Sequence, residues 1–120
     1  MIERIEGAPP GVLAFKAVGE VGLADYSQVV KPELELATVG RRKLRAVVVI
    51  GPEFTGYAKG VQPEDLGLGL GFIRKVERLA VVTDRHGIGD LMRRYGWMLR
   101  KRLKHFPLAD LPAAMRWAGE

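Results

Sequence analysis

Near the middle of the chain stands the run Leu44-Arg45-Ala46-Val47-Val48-Val49-Ile50, which is rich in β-branched residues and has one arginine near its start. β-Branched side chains favour strands, and apolar residues at consecutive positions are typical of a strand that is covered on both faces. Such strands lie inside parallel sheets. Gly51-Pro52 follows and predicts the end of the strand, with an irregular loop from there to residue 62.

Working outward, strands alternate with helices on both sides of this run. Strands are predicted at residues 2–6, 12–19, 79–83 and 103–106, with the first two forming a hairpin through the Gly/Pro-rich residues 7–11. Helices are predicted from residue 23 to about 40 with a kink or break at Pro32, from residue 63 through 73, over residues 88–99, and after Asp110 as N-cap. The order ββαβαβαβα predicts an α/β fold, with a mixed, mostly parallel five-stranded sheet and helices on both faces.

The composition indicates one domain over residues 1–120. The chain is 48% hydrophobic and 28% charged, which is enough apolar surface for one core. The absence of cysteine excludes disulfides and thiolate metal sites, and it fits a cytoplasmic protein. No signal peptide or transmembrane segment is recognisable.

The inventory of catalytic side chains is poor, so we expect a protein that is not an enzyme. Ser27 is the only serine and lies within a predicted helix, and the only histidines, His86 and His105, are far apart in sequence. A nucleophile needs an activating base, and a metal site needs convergent ligands. We therefore predict no catalytic residues, no metal and no cofactor.

A ligand site is predicted where the parallel strands end. Ligands of open α/β sheets collect at the carboxyl ends of the strands. The loop after the third strand carries Phe54 and Tyr57, and the loop after the fourth carries Asp84, Arg85 and His86. These five residues predict an apolar cleft with polar anchors for a small apolar or amphipathic, lipid-like ligand. The other interpretation is that Asp84 caps a helix and the two aromatic residues cover the core.

Basic residues cluster at the opposite edge, in front of the third and fifth strands, and account for much of the net charge of +5. We call this set the basic rim: Arg41, Arg42, Lys43, Arg45, Arg100, Lys101, Arg102 and Lys104. The rim predicts either a surface for a protein partner or an anionic membrane, or only a solubilising surface. No pattern for specific nucleic-acid recognition accompanies the charge, and the sequence leaves open whether the chain forms a homodimer.

Five short phrases of the sequence resemble the bacterial SpoIIAA-like family. They are Gly11-Val12-Leu13-Ala14-Phe15, Asp25-Tyr26 followed by Pro32, Gly51-Pro52-Glu53-Phe54-Thr55-Gly56, Ala80-Val81-Val82-Thr83-Asp84 and Phe106-Pro107-Leu108. The resemblance implies a small α/β domain related to the STAS domains of anti-sigma factor antagonists, which is also likened to the lipid-binding CRAL-TRIO fold. It thus implies a binding or regulatory domain.

One departure from the STAS pattern concerns regulation. STAS antagonists carry a phosphorylatable serine at the start of the helix after the third strand. Here that place reads Gln62-Pro63-Glu64-Asp65-Leu66, and no serine or threonine lies between Thr55 and Thr83. The phosphoserine switch is therefore not expected in this chain.

Overall fold

The valine-rich run lies at the centre of a five-stranded sheet in a computed structural model that describes residues 1–41, 43–60, 75–84 and 102–120. The sheet has the strand order β1-β2-β3-β4-β5. Its strands are β1 (Ile2–Arg4), β2 (Val12–Val21), β3 (Leu44–Tyr57), β4 (Val76–Thr83) and β5 (Leu103–Phe106). β1 pairs antiparallel with β2, and all the other pairs are parallel. The mixed, mostly parallel sheet and its hairpin start are confirmed.

Alternate residues of the strands enter two separate cores. One contains Phe15, Ala46 and Val81, and the other contains Val47 and Val82. Since successive side chains of a strand point to opposite faces, these cores cover the two sides of the sheet. The predicted continuous apolar run is explained by burial on both sides.

One described helical segment packs against each face. The first consists of α1 (Leu23–Asp25), a π-helical turn (Tyr26–Val30) and α2 (Lys31–Ala37), and its Val29 and Leu34 contact the first core. The second is α3 (Leu111–Gly119), whose Ala114 and Ala118 are fully buried in the other core. The helices predicted at residues 63–73 and 88–99 lie outside the described residues.

The disturbance predicted at Pro32 takes the form of a change in helical winding. The amide of Lys31 donates to the carbonyl of Tyr26, five residues back, in place of the usual four. Pro32 has no amide to continue the ladder, and it then occupies the first turn of α2, where none is needed. The chain leaves this segment through a 3-10 turn (Val39–Arg41), in which Gly40 has a φ of 73°.

The predicted end of the third strand at Gly51-Pro52 is wrong. β3 continues to Tyr57, and beyond Ile50 it pairs with the end of β2, with Phe54 opposite Gly19 and Tyr57 opposite Val21. The register shifts near Gly19, and Pro52 has no register partner in β2. A proline that donates no ladder bond is tolerated at such an irregularity. Phe54 and Tyr57 therefore belong to a strand and not to a loop.

Two arginines from neighbouring strands hold the carboxyl end of α3. Arg45 donates from Nη1 to the carbonyl of Ala118 at 3.0 Å, and Arg78 donates from Nη1 to the carbonyl of Trp117 at 2.8 Å. The last carbonyls of a helix lack the amide donor four residues further on, and cations there also offset the helix dipole. Arg45 is held further by Glu77, at 3.0 and 3.3 Å. This member of the basic rim thus fixes the last helix to the sheet.

Asp110 does precede α3, as predicted, but its side chain makes no capping bond.

Replacing Arg45 by methionine removes these bonds while keeping the aliphatic part of the side chain. We expect Arg45→Met to lower the free energy of unfolding by about 1–2 kcal/mol, because charged hydrogen bonds at a partly buried position are lost. The matched control is Arg102→Met, since Arg102 is exposed and has no ion pair among the described residues, and its effect is expected to stay within about 0.5 kcal/mol. Urea unfolding measures both. Equal losses in the two variants would contradict the role given to Arg45.

Candidate functional site

The carboxyl end of β3 carries a pair of contacting aromatic rings. Phe54 is buried, with 8% of its surface exposed, and Tyr57 is 41% exposed. Their ring centroids lie 5.4 Å apart with an interplanar angle of 72°, which is a favourable edge-to-face arrangement. Residues three apart on a regular strand point to opposite faces, and Gly56, with a φ of 139°, breaks that regularity between them. The structure thus brings two of the five predicted ligand residues together.

Asp84 follows β4 directly and performs a structural role. Its Oδ1 accepts a hydrogen bond of 3.0 Å from the amide of Leu108, where a 3-10 turn (Leu108–Asp110) leads into α3. β4 last pairs with β3 at Thr83 and Ile50, so Phe54 and Tyr57 lie further along β3 than the level at which Asp84 leaves the sheet. The other two predicted anchors, Arg85 and His86, lie outside the described residues.

An ion pair links β2 and β3 before the aromatic pair. Lys16 Nζ lies 2.9 Å from Glu53 Oε1, and this hydrogen bond holds the pKa of Glu53 below its ordinary value. Both groups are largely solvated, so the pair is a weak contribution to stability. The ammonium of Lys16 does, however, compensate the negative charge of Glu53, which precedes Phe54 in sequence.

The described cations of the basic rim differ in their contacts: some have a partner in the structure, and others have no ion pair. Arg45 is bound to Glu77 and α3, and the ammonium of Lys104 lies 5.2 Å from the ring centroid of Phe106. Lys43 and Arg102 are exposed and have no ion pair in the described part of the chain. Because β3 and β5 run parallel to β4, both stand at the amino edge of the sheet, as predicted. Arg42, Arg100 and Lys101 lie outside the described residues, as does the side chain of Arg41.

A groove that the sequence did not predict opens at the same amino edge. Its volume is about 580 Å³. It lies between the starts of β2, β3 and β4, the end of α2 and the end of α3; we call it the amino-edge groove, lined among others by Arg4, Leu13, Glu33, Leu36, Lys43 and Glu77. One signal in the sequence points to this groove. Leu36 is apolar, but it does not belong to the stripe of helical residues that faces the core.

Two kinds of feature are absent from residues 1–41, 43–60, 75–84 and 102–120. No group of three or more histidine or acidic side chains is arranged to hold a metal ion there. No helix in these ranges is both long and apolar enough to cross a bilayer.

Comparison with known proteins agrees with the fold. The sequence model of the SpoIIAA-like family matches residues 12–119. The chain is also similar to an uncharacterised protein with a SpoIIAA-like fold from Shewanella loihica PV-4, at 28% identity and a TM-score of 0.69 over 98% of this chain and 93% of the other. No curated protein matches. With a family match from the start of β2 to the end of α3, on a sheet of the corresponding architecture, the chain belongs to the SpoIIAA-like family.

Proposed function

We propose that the protein is a non-enzymatic binding domain of the cytoplasm, and that its carboxyl edge binds a small apolar or amphipathic ligand. The observation that supports this is the half-exposed ring of Tyr57 standing edge-on against the buried ring of Phe54. Ligand sites are lined mainly by apolar and aromatic side chains with a few polar groups. A tyrosine offers both, because its ring packs against hydrocarbon while its hydroxyl forms hydrogen bonds.

The geometry also supports a division of roles within the proposed site. Phe54 contacts the Tyr57 ring and is too buried to offer a ligand much contact area itself. Asp84 binds the backbone of Leu108, so its carboxylate is already engaged in one hydrogen bond. Tyr57 is therefore the principal contact in this proposal, and Arg85 and His86 remain predicted polar anchors for the ligand's head.

Native mass spectrometry of protein purified from cells tests for the ligand directly, since it reports the mass of any bound molecule. We expect a bound apolar or amphipathic molecule on the wild-type protein, and its loss from Tyr57→Ala. The increase in melting temperature on adding oleate, used as a probe, should also be smaller for Tyr57→Ala than for the wild-type protein. Leu36→Ala is the matched control, since it removes an exposed apolar side chain at the opposite edge. A ligand-free wild-type protein whose oleate response is the same in both variants would rule the proposal out.

A second candidate function uses the basic rim as a surface for a protein partner or an anionic membrane. It is favoured by the parallel register, which places the exposed cations Lys43 and Arg102 at one edge. Cations near an anionic surface each contribute about 1 kcal/mol of attraction, and this attraction is screened by salt.

Charge reversal tests the second candidate. The double variant Lys43→Glu with Arg102→Glu is expected to reduce sedimentation with phosphatidylglycerol vesicles by at least about tenfold, if the membrane is the partner. The control, Lys31→Glu with Lys59→Glu, has the same net charge but alters exposed lysines away from the amino edge. Equal vesicle binding by the two double variants would show that the rim has no specific role at membranes.

A further inference from the structure

We propose that the amino-edge groove binds a short peptide segment of a partner protein, one that presents apolar side chains together with an acidic one. This inference shares its edge of the sheet with the second candidate function and is independent of the aromatic pair at the carboxyl edge. It adds a defined cavity and the chemistry of the partner.

The shape of the groove fits a side-chain-bearing segment. It is an open groove, and its volume of about 580 Å³ lies in the range of small-ligand sites. Val12 and Leu13 line it too, but both are buried in the cores of the sheet and offer little contact area. At its side stands Leu36, which is 71% exposed, and Val39 is 64% exposed in the 3-10 turn beyond. Two exposed apolar side chains therefore stand near the end of the helical segment, and one of them, Leu36, lines the groove.

Among the described charged side chains that line the groove, one cation has no ion-pair partner. Arg4 lies 3.1 Å from Glu33, and Arg45 lies 3.0 Å from Glu77, so these four lining residues form two ion pairs. Lys43 also lines the groove and has no ion-pair partner in the described residues. Among the described residues, the lining thus carries one positive charge without an ion-pair partner, and an acidic side chain is the complementary group.

The walls of the groove are held in place without a ligand. Arg45 is fixed by Glu77 and by the carbonyl of Ala118. At the end of α3, Gly119 approaches Pro9 so closely that a Cβ there would lie 2.9 Å from Pro9 Cβ. A preformed cavity binds with a smaller loss of conformational entropy than one that must be assembled.

A peptide fits this lining better than a membrane surface. A flat bilayer cannot enter a concave groove, so its headgroups would meet only the cations at the rim of the groove. A peptide can place its acidic side chain at Lys43 and lay its apolar side chains against Leu36.

Selection of twelve-residue peptides from a phage library against the whole protein provides the probe. We expect the selected peptides to combine leucine-like residues with an acidic one. In fluorescence polarisation, Lys43→Glu and Leu36→Asp should each weaken a selected peptide by at least about tenfold. Lys59→Glu, an exposed lysine beyond the carboxyl end of β3, is the matched control and should leave the affinity unchanged. Replacing the acidic residue of the peptide by lysine should restore binding to Lys43→Glu.

Three outcomes would overturn the inference. The first is a selection that yields no specific peptide. The second is peptide binding that is equally strong in wild type, Lys43→Glu and Leu36→Asp. The third is Lys43-dependent binding to phosphatidylglycerol vesicles alone, which would favour a membrane role for the rim and refute the groove as a peptide site. None of these outcomes changes the oleate response assigned to Tyr57, so the two proposals fail independently.

Discussion

The parallel register of β2, β3 and β4 is the constraint on which the rest of the molecule depends. Phe15, Val48 and Val81 form one row across these strands, and the neighbouring row is Ala14, Val47 and Ala80. The rows face opposite cores, since alternate residues of a strand point to opposite sides of the sheet. A slip of one residue would move each apolar set to the other face. Burial on both sides therefore fixes the direction and the register together.

That register also separates the chemistry of the two edges. Parallel strands bring all their amino ends to one side, where cations and the groove lie, and all their carboxyl ends to the other, where Phe54 and Tyr57 lie. A ligand at one edge need not compete with a partner at the other. The two edges of the sheet in this chain are thus chemically distinct, and one proposed site lies at each. The phosphoserine switch of STAS antagonists has no counterpart in the residues 56–82, which contain neither serine nor threonine.

The features that followed from local patterns could be predicted from the sequence. The β-branched run predicted the central strand, and the alternation of strands and helices predicted the mostly parallel order. The continuation of β3 through Pro52 could not be predicted, because it depends on pairing with the end of β2, a long-range contact that a local stop signal does not reveal. In the same way, the positions of the basic residues in the sequence indicate a cluster of cations. They do not indicate that Arg45 binds the end of α3, because that hydrogen bond joins residues 73 positions apart.

The candidate sites show the same limit. The loop predicted after the third strand indicated Phe54 and Tyr57, and the structure places their rings in contact, although both lie in the strand itself. Asp84 was assigned to the ligand because it follows a strand, yet its bond to Leu108 arises from the path of the chain after β5. The lining of the amino-edge groove comes from the starts of the strands, from α2 and from α3, which are far apart in sequence. No single sequence motif could therefore predict it.

Nuclear Overhauser contacts across the sheet test the central claim most directly. Parallel pairing in the register described here predicts backbone contacts from Val48 to both Phe15 and Val81, with Val47 and Val49 matched in the same direction on both neighbours. Contacts that run in the opposite order along β2 or β4, or a Val48 backbone that lacks one of its two neighbours, would contradict the architecture. The grouping of residues at the amino and carboxyl edges would then be wrong as well.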